Sequence, residues 1–296
     1  MEPGILFWFY KNEALCKNRL QLLRRKNPDT PIYGLYGGRP ESAERFRAAL
    51  TPLLDDFYVY PSPQDATWKW LNGDLMIAAW YRDRGHRLHW KTLVLVQWDM
   101  LVFGRVAALF AELNEDEVLL SSLRPVSEVA DWWHWVSGEN KPWYARFVQH
   151  LQEACAFDGE PLCCQFVIVA FPRVFLEHYS AIEAPELGFI EYRVPTYARV
   201  FGIPVRSIER FDCWWEGDPA NPPAKEIDKV LSAGRNSIAL RTVVRQYYRT
   251  GGACIIHPFH KIFPVDLPSA FRFIRESLRQ VLQALKKRLQ AKEVTP

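Results

Sequence analysis

The first hundred residues alternate between short apolar runs and longer segments whose apolar residues recur every three or four positions. Three of the apolar runs predict strands, at Ile5–Tyr10, Pro31–Tyr36 and Phe57–Tyr60. The longer segments predict helices, at Glu13–Arg25, Ser42–Leu53 and Trp68–Arg82. Strands and helices that alternate at this spacing are typical of a parallel sheet covered by helices on both faces, so the pattern predicts an α/β fold.

A further apolar run, Thr92–Val102, contains a single acid, Asp99. A run of this kind predicts a central strand buried on both faces. A carboxylate there is costly unless it faces a cleft, a partner or a cation, so Asp99 either caps a turn or holds a metal ion. Because ligands bind off the carboxyl ends of parallel strands, we expect the strand ends near Tyr10, Gly37 and Trp98 to converge.

The second half of the chain is less regular. Its pattern predicts a buried strand at Leu162–Phe171, a helix at Val174–Ile182, a strand at Gly188–Val194 and an edge strand at Arg206–Phe211. No internal repeat or low-complexity linker divides the chain. We therefore predict one domain over 1–267, with a first half at about 1–104 and a second half at about 105–267.

Two segments of the second half contain residues suited to recognition. The span from Trp132 to Tyr144 is rich in tryptophan and predicts either a lid or platform over a site, or an aromatic core beneath a loop. Residues 268–296 predict an amphipathic helix with a basic face. That face is either simply solvated or a surface for anionic lipid or an acidic partner.

Composition narrows the class of protein. Hydrophobic residues make up 49% of the chain and charged residues 24%, which is typical of a folded, core-forming protein. The net charge of +3 is too small to indicate a nucleic-acid-binding surface. The six cysteines contain no C-x-x-C pair, so we expect reduced thiols and no zinc thiolate site. The basic start of a signal peptide is also missing, and we expect a cytoplasmic protein, with membrane association only through the C-terminal helix.

Three segments suggest a common chemistry: Gln97-Trp98-Asp99 at a strand end, Glu191-Tyr192-Arg193-Val194-Pro195-Thr196, and His257-Pro258-Phe259-His260-Lys261 after an apolar run. With these segments in this order, residues 5–265 resemble a glycosyltransferase of the GT-A type, in the nucleotide-diphospho-sugar transferase superfamily. The resemblance implies a single Rossmann-like domain with a mostly parallel central sheet. It also implies a nucleotide-sugar donor, linked to UDP or GDP, that binds the first half, and a hydroxyl acceptor that binds the second.

The resemblance also implies a divalent metal, Mn²⁺ or Mg²⁺, on the donor diphosphate. Asp99 matches the second acid of the family's D-x-D motif, whereas Gln97 stands where the first acid usually is. His257 matches a late histidine that completes the metal shell, with His260 as the rival ligand, and Lys261 is expected to face the diphosphate. The other donor contacts implied are Tyr10, Tyr36, Gly37, Gly38, Trp70, Asn72, Gln97 and Trp98.

Each site residue also has a structural alternative. His257 either binds the metal or is a buried histidine at a strand end, and Gly37-Gly38 either lets the backbone approach a nucleotide or forms a tight turn. By the resemblance Glu191 is the catalytic base of an inverting transfer, with Glu183 as the alternative base. From the residues alone, Glu191 can equally form an ion pair with Arg193 or Arg199.

Physical chemistry supports the same set of groups. A departing diphosphate concentrates negative charge, which a hard cation on oxygen ligands and a lysine neutralise. The attacking hydroxyl needs a base, and a carboxylate can supply one. We therefore predict a metal-assisted glycosyltransferase. The alternative is a non-catalytic nucleotide-sugar-binding or scaffold protein, which Gln97 favours. A sugar nucleotidyltransferase ranks lower because no Gly-rich basic loop follows the first strand.

Overall fold

The computed structural model describes residues 2–61, 64–215, 217–220, 230–233 and 236–264 of the chain. The chain divides into two compact units, Met1–His260 and Lys261–Pro296, and every element described below belongs to the first. The predicted C-terminal helix at 268–296 lies outside the described residues, and its proposed lipid or partner surface stays a prediction. Within the described ranges, no helix is both long and apolar enough to cross a membrane.

The central feature is a mixed β-sheet with a parallel half. The strands of the described chain are β1 (Pro3–Phe9), β2 (Ile32–Tyr36), β3 (Asp56–Val59), β4 (Thr92–Gln97), β5 (Leu101–Phe103), β6 (Val118–Pro125), β7 (Leu162–Pro172), β8 (Val205–Arg206) and β9 (Cys254–Ile256). The main sheet has the order β3-β2-β1-β4-β7-β6-β8. Strands β1 to β4 are parallel, β7 runs antiparallel to β4 and β6, and β8 pairs parallel with β6 at the edge.

Helices cover both faces of this sheet, which confirms the predicted fold class. They are α1 (Glu13–Lys26), α2 (Ala43–Leu50), α3 (Ala66–Leu71), α4 (Gly73–Asp83), α5 (Val106–Leu109), α6 (Lys141–Cys155), α7 (Arg173–Tyr179), α8 (Ile190–Val200) and α9 (Leu240–Arg249). Successive side chains of a strand point to opposite faces. In β4, accordingly, Leu93 and Leu95 join one apolar core, whereas Val94 and Val96 join the other.

A short second sheet places the end of the apolar run beside a distant part of the chain. The sequence predicts a strand in the run Thr92–Val102 that ends at Gln97-Trp98-Asp99; β4 ends at Gln97, and a turn containing Asp99 separates it from β5. Strand β5 leaves the main sheet and pairs antiparallel with β9, Leu101 opposite Ile256. Because β9 leads directly into His257, this pairing brings the segment around Asp99 next to the segment around His257.

Three other predicted elements differ from the structure. The strand predicted at Gly188–Val194 is wrong, because these residues lead into helix α8, and the strand-like apolar pattern arises since most of that helix is buried. Of the edge strand predicted at Arg206–Phe211, only Arg206 pairs, in the two-residue β8. The helix predicted at Trp68–Arg82 is divided at Asn72, whose φ of −130° and ψ of 34° are not helical.

Candidate functional site

The ends of the parallel strands converge, as their order along the chain predicts. The N–H of Gly37 donates to the carbonyl of Phe9 at 2.9 Å, and the N–H of Trp98 donates to the carbonyl of Trp8 at 3.0 Å. The rings of Tyr10 and Trp98 meet edge to face with centroids 5.7 Å apart. These contacts form one edge at the carboxyl ends of β1, β2 and β4, where ligands of open α/β sheets bind.

Gly38 lies in a tight turn at this edge. A Cβ atom at Gly38 would lie 2.6 Å from the carbonyl oxygen of Tyr10, closer than side-chain carbons approach in real structures. The hydroxyl of Tyr36 donates to the carbonyl of Arg39 at 3.0 Å and fixes the same turn. The close approach of backbone to backbone therefore accounts for the glycine, and its contact with a nucleotide stays a prediction.

Asp99 lies against two histidines that follow β9. The Nε2 atom of His257 is 3.4 Å from Oδ1 of Asp99, and Nε2 of His260 is 3.3 Å from Oδ2. Asp99 and His257 are buried, whereas the side chain of His260 is 39% exposed. A hydrogen bond of 2.8 Å from the N–H of Phe259 to the carbonyl of Asp99 locks the two segments together. We call Asp99, His257 and His260 the Asp99 cluster.

The orientation of His257 suits a cation beside Asp99. Its Nδ1 atom lies 2.9 Å from the carbonyl of Ser232, which can only accept a hydrogen bond, so Nδ1 carries a proton. Nε2 is therefore the ring nitrogen that faces Asp99: as an N–H it donates to the carboxylate, and as a lone pair it can share a cation with that carboxylate. Oδ1 of Asp99 is buried and makes no hydrogen bond within the described residues, so one oxygen remains available to a cation.

The electrostatics of the Asp99 cluster favour the ionised carboxylate. Burial alone raises the pKa of Asp99, but the adjacent His257 ring, a backbone hydrogen bond and His260 together lower that pKa below its usual value. The buried Arg19 adds a positive charge nearby. Burial lowers the pKa of Arg19 to about 9, although the attraction of its guanidinium to Asp99 partly offsets this lowering. Asp99 is therefore a permanent anion at neutral pH.

The side chains of Trp98 and Lys11 border the Asp99 cluster. The ring of His260 stacks on Trp98 with centroids 5.5 Å apart and planes 6° apart. The ammonium of Lys11 lies 4.7 Å from the centre of the Trp98 ring. Trp98 itself is buried, so a group that binds here meets the partly exposed imidazole of His260 and the exposed ammonium of Lys11, a combination suited to a phosphorylated ligand.

A metal cage built from protein alone is missing in the described part of the chain. No group of three or more His, Cys, Asp or Glu side chains is placed to hold a metal ion there. Asp99 and His257 supply one oxygen and one nitrogen, so a divalent ion at this position has to take its remaining ligands from water or from a phosphate. Divalent cations bound by few carboxylates together with substrate phosphates are common at nucleotide sites.

Gln97 occupies the position where the resemblance expects an acid, and its amide is engaged by the sheet. Nε2 of Gln97 donates to the carbonyl of Phe166 in β7 at 3.0 Å. A carboxylate at this position could not donate that hydrogen bond and would face a carbonyl oxygen. The hydrogen bond to Phe166 therefore explains why a glutamine rather than an acid stands at this position. The predicted contact of Gln97 with the nucleotide-sugar stays a prediction.

Glu191 lies in the first turn of α8 and turns towards the same residue of β7. Its Oε1 atom accepts a hydrogen bond of 3.0 Å from the N–H of Phe166. Burial raises the pKa of Glu191 to about 8, and the Phe166 hydrogen bond only partly offsets this. Neither Arg193 nor Arg199 pairs with it, since these donate to Asp74 and to the carbonyl of Glu160. The ion-pair interpretation of Glu191 is therefore wrong.

Three other predicted contacts are placed as follows. Asn72 is buried, and its amide is used twice, by donating to the carbonyl of Trp68 at 3.0 Å and accepting from Arg193 at 3.1 Å. Trp70 is 56% exposed and touches the rings of Trp135 and Phe189. Lys261 belongs to the second unit, so its predicted role towards the diphosphate stays a prediction.

The tryptophan-rich span forms both core and surface. Trp133 is buried and packs on Trp215 with ring centroids 5.4 Å apart, as the aromatic-core interpretation expects. Trp135 is only partly buried and stacks on Phe189, the residue that precedes α8, with centroids 4.0 Å apart. The span thus supports the turn from which Glu191 projects, and a platform role remains a prediction.

Sequence reasoning missed the buried Arg19 and the partner of Arg193. Arg19 lies on the apolar face of α1, one turn after Leu15 and one turn before Leu23, and a charge within an apolar stripe was the available signal. Arg193 is buried in α8 against Asp74. No signal in the sequence pairs residues 119 positions apart, so this contact could not be found without the fold.

Comparison with known proteins finds distant similarity to solved structures. No family model matches the chain, and no curated protein matches its sequence. Solved structures similar to it include the bifunctional glycosyltransferase WbbM in its apo form, with 12% identity and a TM-score of 0.40 over 87% of this chain. The chain spans about half of WbbM, 46% of its length.

Two further similar structures come from bacteria. One is described as a nucleotide-diphospho-sugar transferase from Desulfovibrio desulfuricans G20, with 12% identity and a TM-score of 0.39 over 70% of this chain and 79% of that one. The other is a cytidylyltransferase from Leptospira borgpetersenii serovar Hardjo-bovis (strain JB197), with 9% identity and a TM-score of 0.38 over 70% and 76%. At this level of similarity, the functional argument rests on the site itself.

Proposed function

We propose that this protein is a glycosyltransferase that moves a sugar from a UDP- or GDP-linked donor to a hydroxyl acceptor with the help of Mn²⁺ or Mg²⁺. The observation that carries the proposal is the Asp99 cluster at the carboxyl ends of the parallel strands, with an ionised carboxylate oxygen free of hydrogen bonds beside a suitably oriented imidazole. The partly exposed imidazole of His260 and the exposed ammonium of Lys11 beside this cluster suit a nucleoside diphosphate.

The residues fit a divalent cation that is completed by its ligand. Asp99 and His257 are the proposed protein ligands, and diphosphate oxygens supply what the protein lacks. When bound, the cation neutralises negative charge on the departing diphosphate. The ammonium of Lys11 is exposed beside Trp98 and can add to this neutralisation. The proposal therefore requires that metal and nucleotide bind together, each tightening the other.

Glu191 is the proposed base. Its carboxylate accepts the proton of the acceptor hydroxyl while the hydroxyl oxygen bonds to the anomeric carbon and the bond from that carbon to the diphosphate breaks, which inverts the configuration. Because the pKa of Glu191 is about 8, the side chain is partly protonated at neutral pH, and the fraction able to act as base increases with pH. The hydrogen bond from Phe166 N–H orients the carboxylate.

A non-catalytic binding protein is the second candidate. Gln97 favours it, because the acid expected there is replaced by an amide that donates a hydrogen bond to the neighbouring strand β7. Both candidates bind a nucleoside diphosphate with metal, but only the enzyme breaks the glycosidic bond of the donor. Slow hydrolysis, with water in place of the acceptor, therefore separates them without knowledge of the acceptor.

The test is a thermal-shift screen of UDP, GDP and their sugar conjugates, each with and without Mn²⁺ or Mg²⁺, followed by hydrolysis assays of any sugar conjugate that binds. We expect one nucleotide class to raise the melting temperature when metal is present, since a ligand that binds the folded state stabilises it. No shift with any of these ligands would contradict both candidates. A shift without detectable hydrolysis would leave only the binding protein.

A further inference from the structure

The most heavily hydrogen-bonded buried ion pair in the described structure lies beneath the turn that leads to Glu191. Arg193 and Asp74 have side chains that are 0% and 1% exposed. Arg193 donates to both oxygens of Asp74, from Nε at 2.8 Å and from a terminal nitrogen at 2.6 Å. The hydroxyl of Tyr179 donates to the same carboxylate. A two-pronged contact of this kind fixes both side chains in one geometry.

Arg193 also reaches the backbone before α8. Its Nη1 donates to the carbonyl of Gly188 at 2.6 Å, and Gly188 has a φ of +82° that favours glycine. A Cβ atom at Gly188 would lie 2.6 Å from the ring of Tyr192. The turn from Gly188 into α8 is therefore fixed by a hydrogen bond from the Arg193 guanidinium and by close packing against the Tyr192 ring.

The same guanidinium reaches the junction of α3 and α4. Arg193 donates to Oδ1 of Asn72, the residue at which the two helices meet, and Asp74 lies in the first turn of α4. One buried ion pair thus joins the helices that follow β3 to the turn from which Glu191 projects. Glu191 is two residues before Arg193 but accepts its hydrogen bond from Phe166. Arg193, the arginine nearest to it in sequence, instead donates to Asp74.

We propose that Arg193 and Asp74 are positioning residues, which hold the first turn of α8 so that the Glu191 carboxylate stays on the Phe166 amide. This inference rests on the proposed function for its catalytic consequence, because Glu191 acts as the base only there. The structural part of the proposal, that Arg193 and Asp74 stabilise the hydrogen bond between the Phe166 amide and Glu191, can be measured without any turnover. The two can therefore fail separately.

The turnover-free test is residue-resolved hydrogen exchange of the Phe166 amide in Arg193→Lys, which keeps the charge but loses the fork of donors. We expect this exchange to accelerate at least about tenfold, while amides at the centre of β1 keep their protection. The matched control is Arg199→Lys, on the same helix, whose arginine donates only to the Glu160 carbonyl. Equal exchange at Phe166 in both folded variants overturns the proposal.

The second test is a double-mutant cycle on donor hydrolysis. With Glu191 present, Arg193→Lys is expected to lower kcat about 10- to 100-fold with little change in the KM for the donor, as a misplaced catalytic group does. In the Glu191→Gln background, the same substitution should lower kcat no further. A full loss in both backgrounds overturns the positioning role. If Glu191→Gln itself keeps normal hydrolysis, the proposed base is wrong, and the exchange result still decides the hold on Phe166.

A milder variant covers the case in which Arg193→Lys does not fold. Tyr179→Phe removes one hydrogen bond to Asp74 and no charge. We expect a smaller acceleration of Phe166 exchange, about two- to fivefold, with the fold intact. Unchanged exchange at Phe166 in a folded Tyr179→Phe, together with unchanged exchange in a folded Asn72→Ala, counts against the proposal in the same way.

Discussion

Asp99 and Glu191 are both shielded carboxylates, but their surroundings shift their pKa values in opposite directions. Two imidazoles and a backbone hydrogen bond face Asp99 and lower its pKa despite burial. Glu191 has one backbone N–H and no cation, so burial prevails and raises its pKa to about 8. The comparison teaches that burial alone does not set the charge of an acid. The neighbours decide whether it acts as a fixed anion or as a group that exchanges protons near neutral pH.

The largest expected effect comes from removing the fixed anion. Asp99→Asn keeps the shape of the side chain but loses the charge and one cation ligand. We expect metal-dependent donor hydrolysis to fall about 10³-fold, because a cation on the leaving group contributes several kcal/mol to the transition state. Asp29→Asn is the control, since its side chain is 87% exposed. Equal activity in both variants would contradict a metal role for Asp99.

The next effect concerns the proton-exchanging acid. Glu191→Gln should lower kcat about 10²- to 10⁴-fold, the usual contribution of a general base. In the unmodified protein, kcat/KM should rise with pH through about 8 and then level off, and this rise should disappear in the variant. Glu183→Gln, an exposed acid before α8, serves as the control. A loss confined to Glu183→Gln would assign the base to Glu183 instead.

The two acids should also give opposite pH dependences of stability. Glu191 has a folded pKa above its unfolded value, so the folded state holds its proton more tightly and stability falls as pH rises from about 4.5 towards 8. Asp99 has a lowered folded pKa, so its contribution is present above the unfolded value and is lost as pH falls through the folded value. Urea unfolding from pH 3 to 9 measures both effects.

Matched variants assign each slope to its acid. Glu191→Gln should remove the loss of stability between about pH 4.5 and 8, worth on the order of 1–3 kcal/mol of unfolding free energy. Asp99→Asn should flatten the loss at lower pH and leave the loss between about pH 4.5 and 8 unchanged. If stability still falls over that range in Glu191→Gln, another group causes the fall, and the raised pKa of Glu191 would no longer explain the difference between the two acids.

The smallest expected effect lies at the residue that links the two regions. Gln97 is the last residue of β4, two residues before Asp99, and donates to the carbonyl of Phe166, whose N–H donates to Glu191. Gln97→Glu replaces the donor with a carboxylate that faces the Phe166 carbonyl. We expect the free energy of unfolding, measured by urea denaturation, to fall by about 1–2 kcal/mol. Unchanged stability would indicate that the Gln97 hydrogen bond contributes nothing to the sheet.

The sequence predicts the sheet well because its signal is local. Apolar runs such as Ile5–Tyr10 and turns such as Gly37-Gly38 identify the first strands of the sheet. The helix at Ile190–Val200 was mistaken for a strand because burial on nearly all sides hides its periodicity. Local patterns therefore fail first where an element is buried all around.

Contacts between distant residues of the site are less predictable. The family resemblance named Asp99 and His257, and the pairing of β5 with β9 brings them together. The environment of Glu191 could not be anticipated, since it depends on Phe166 and on Arg193 being held by Asp74. Such contacts depend on how helices pack on the sheet, and single-sequence periodicity contains no information about which distant side chains meet.

The most direct test of the central claim is the affinity for Mn²⁺ measured by titration calorimetry, with and without a saturating nucleoside diphosphate, in the unmodified protein and in Asp99→Asn. We predict weak binding of Mn²⁺ alone, because the protein supplies few ligands, and at least about tenfold tighter binding with the nucleotide, a gain that Asp99→Asn abolishes. Equal Mn²⁺ affinity with and without nucleotide, or a gain that survives in Asp99→Asn, would contradict a metal–diphosphate site at Asp99.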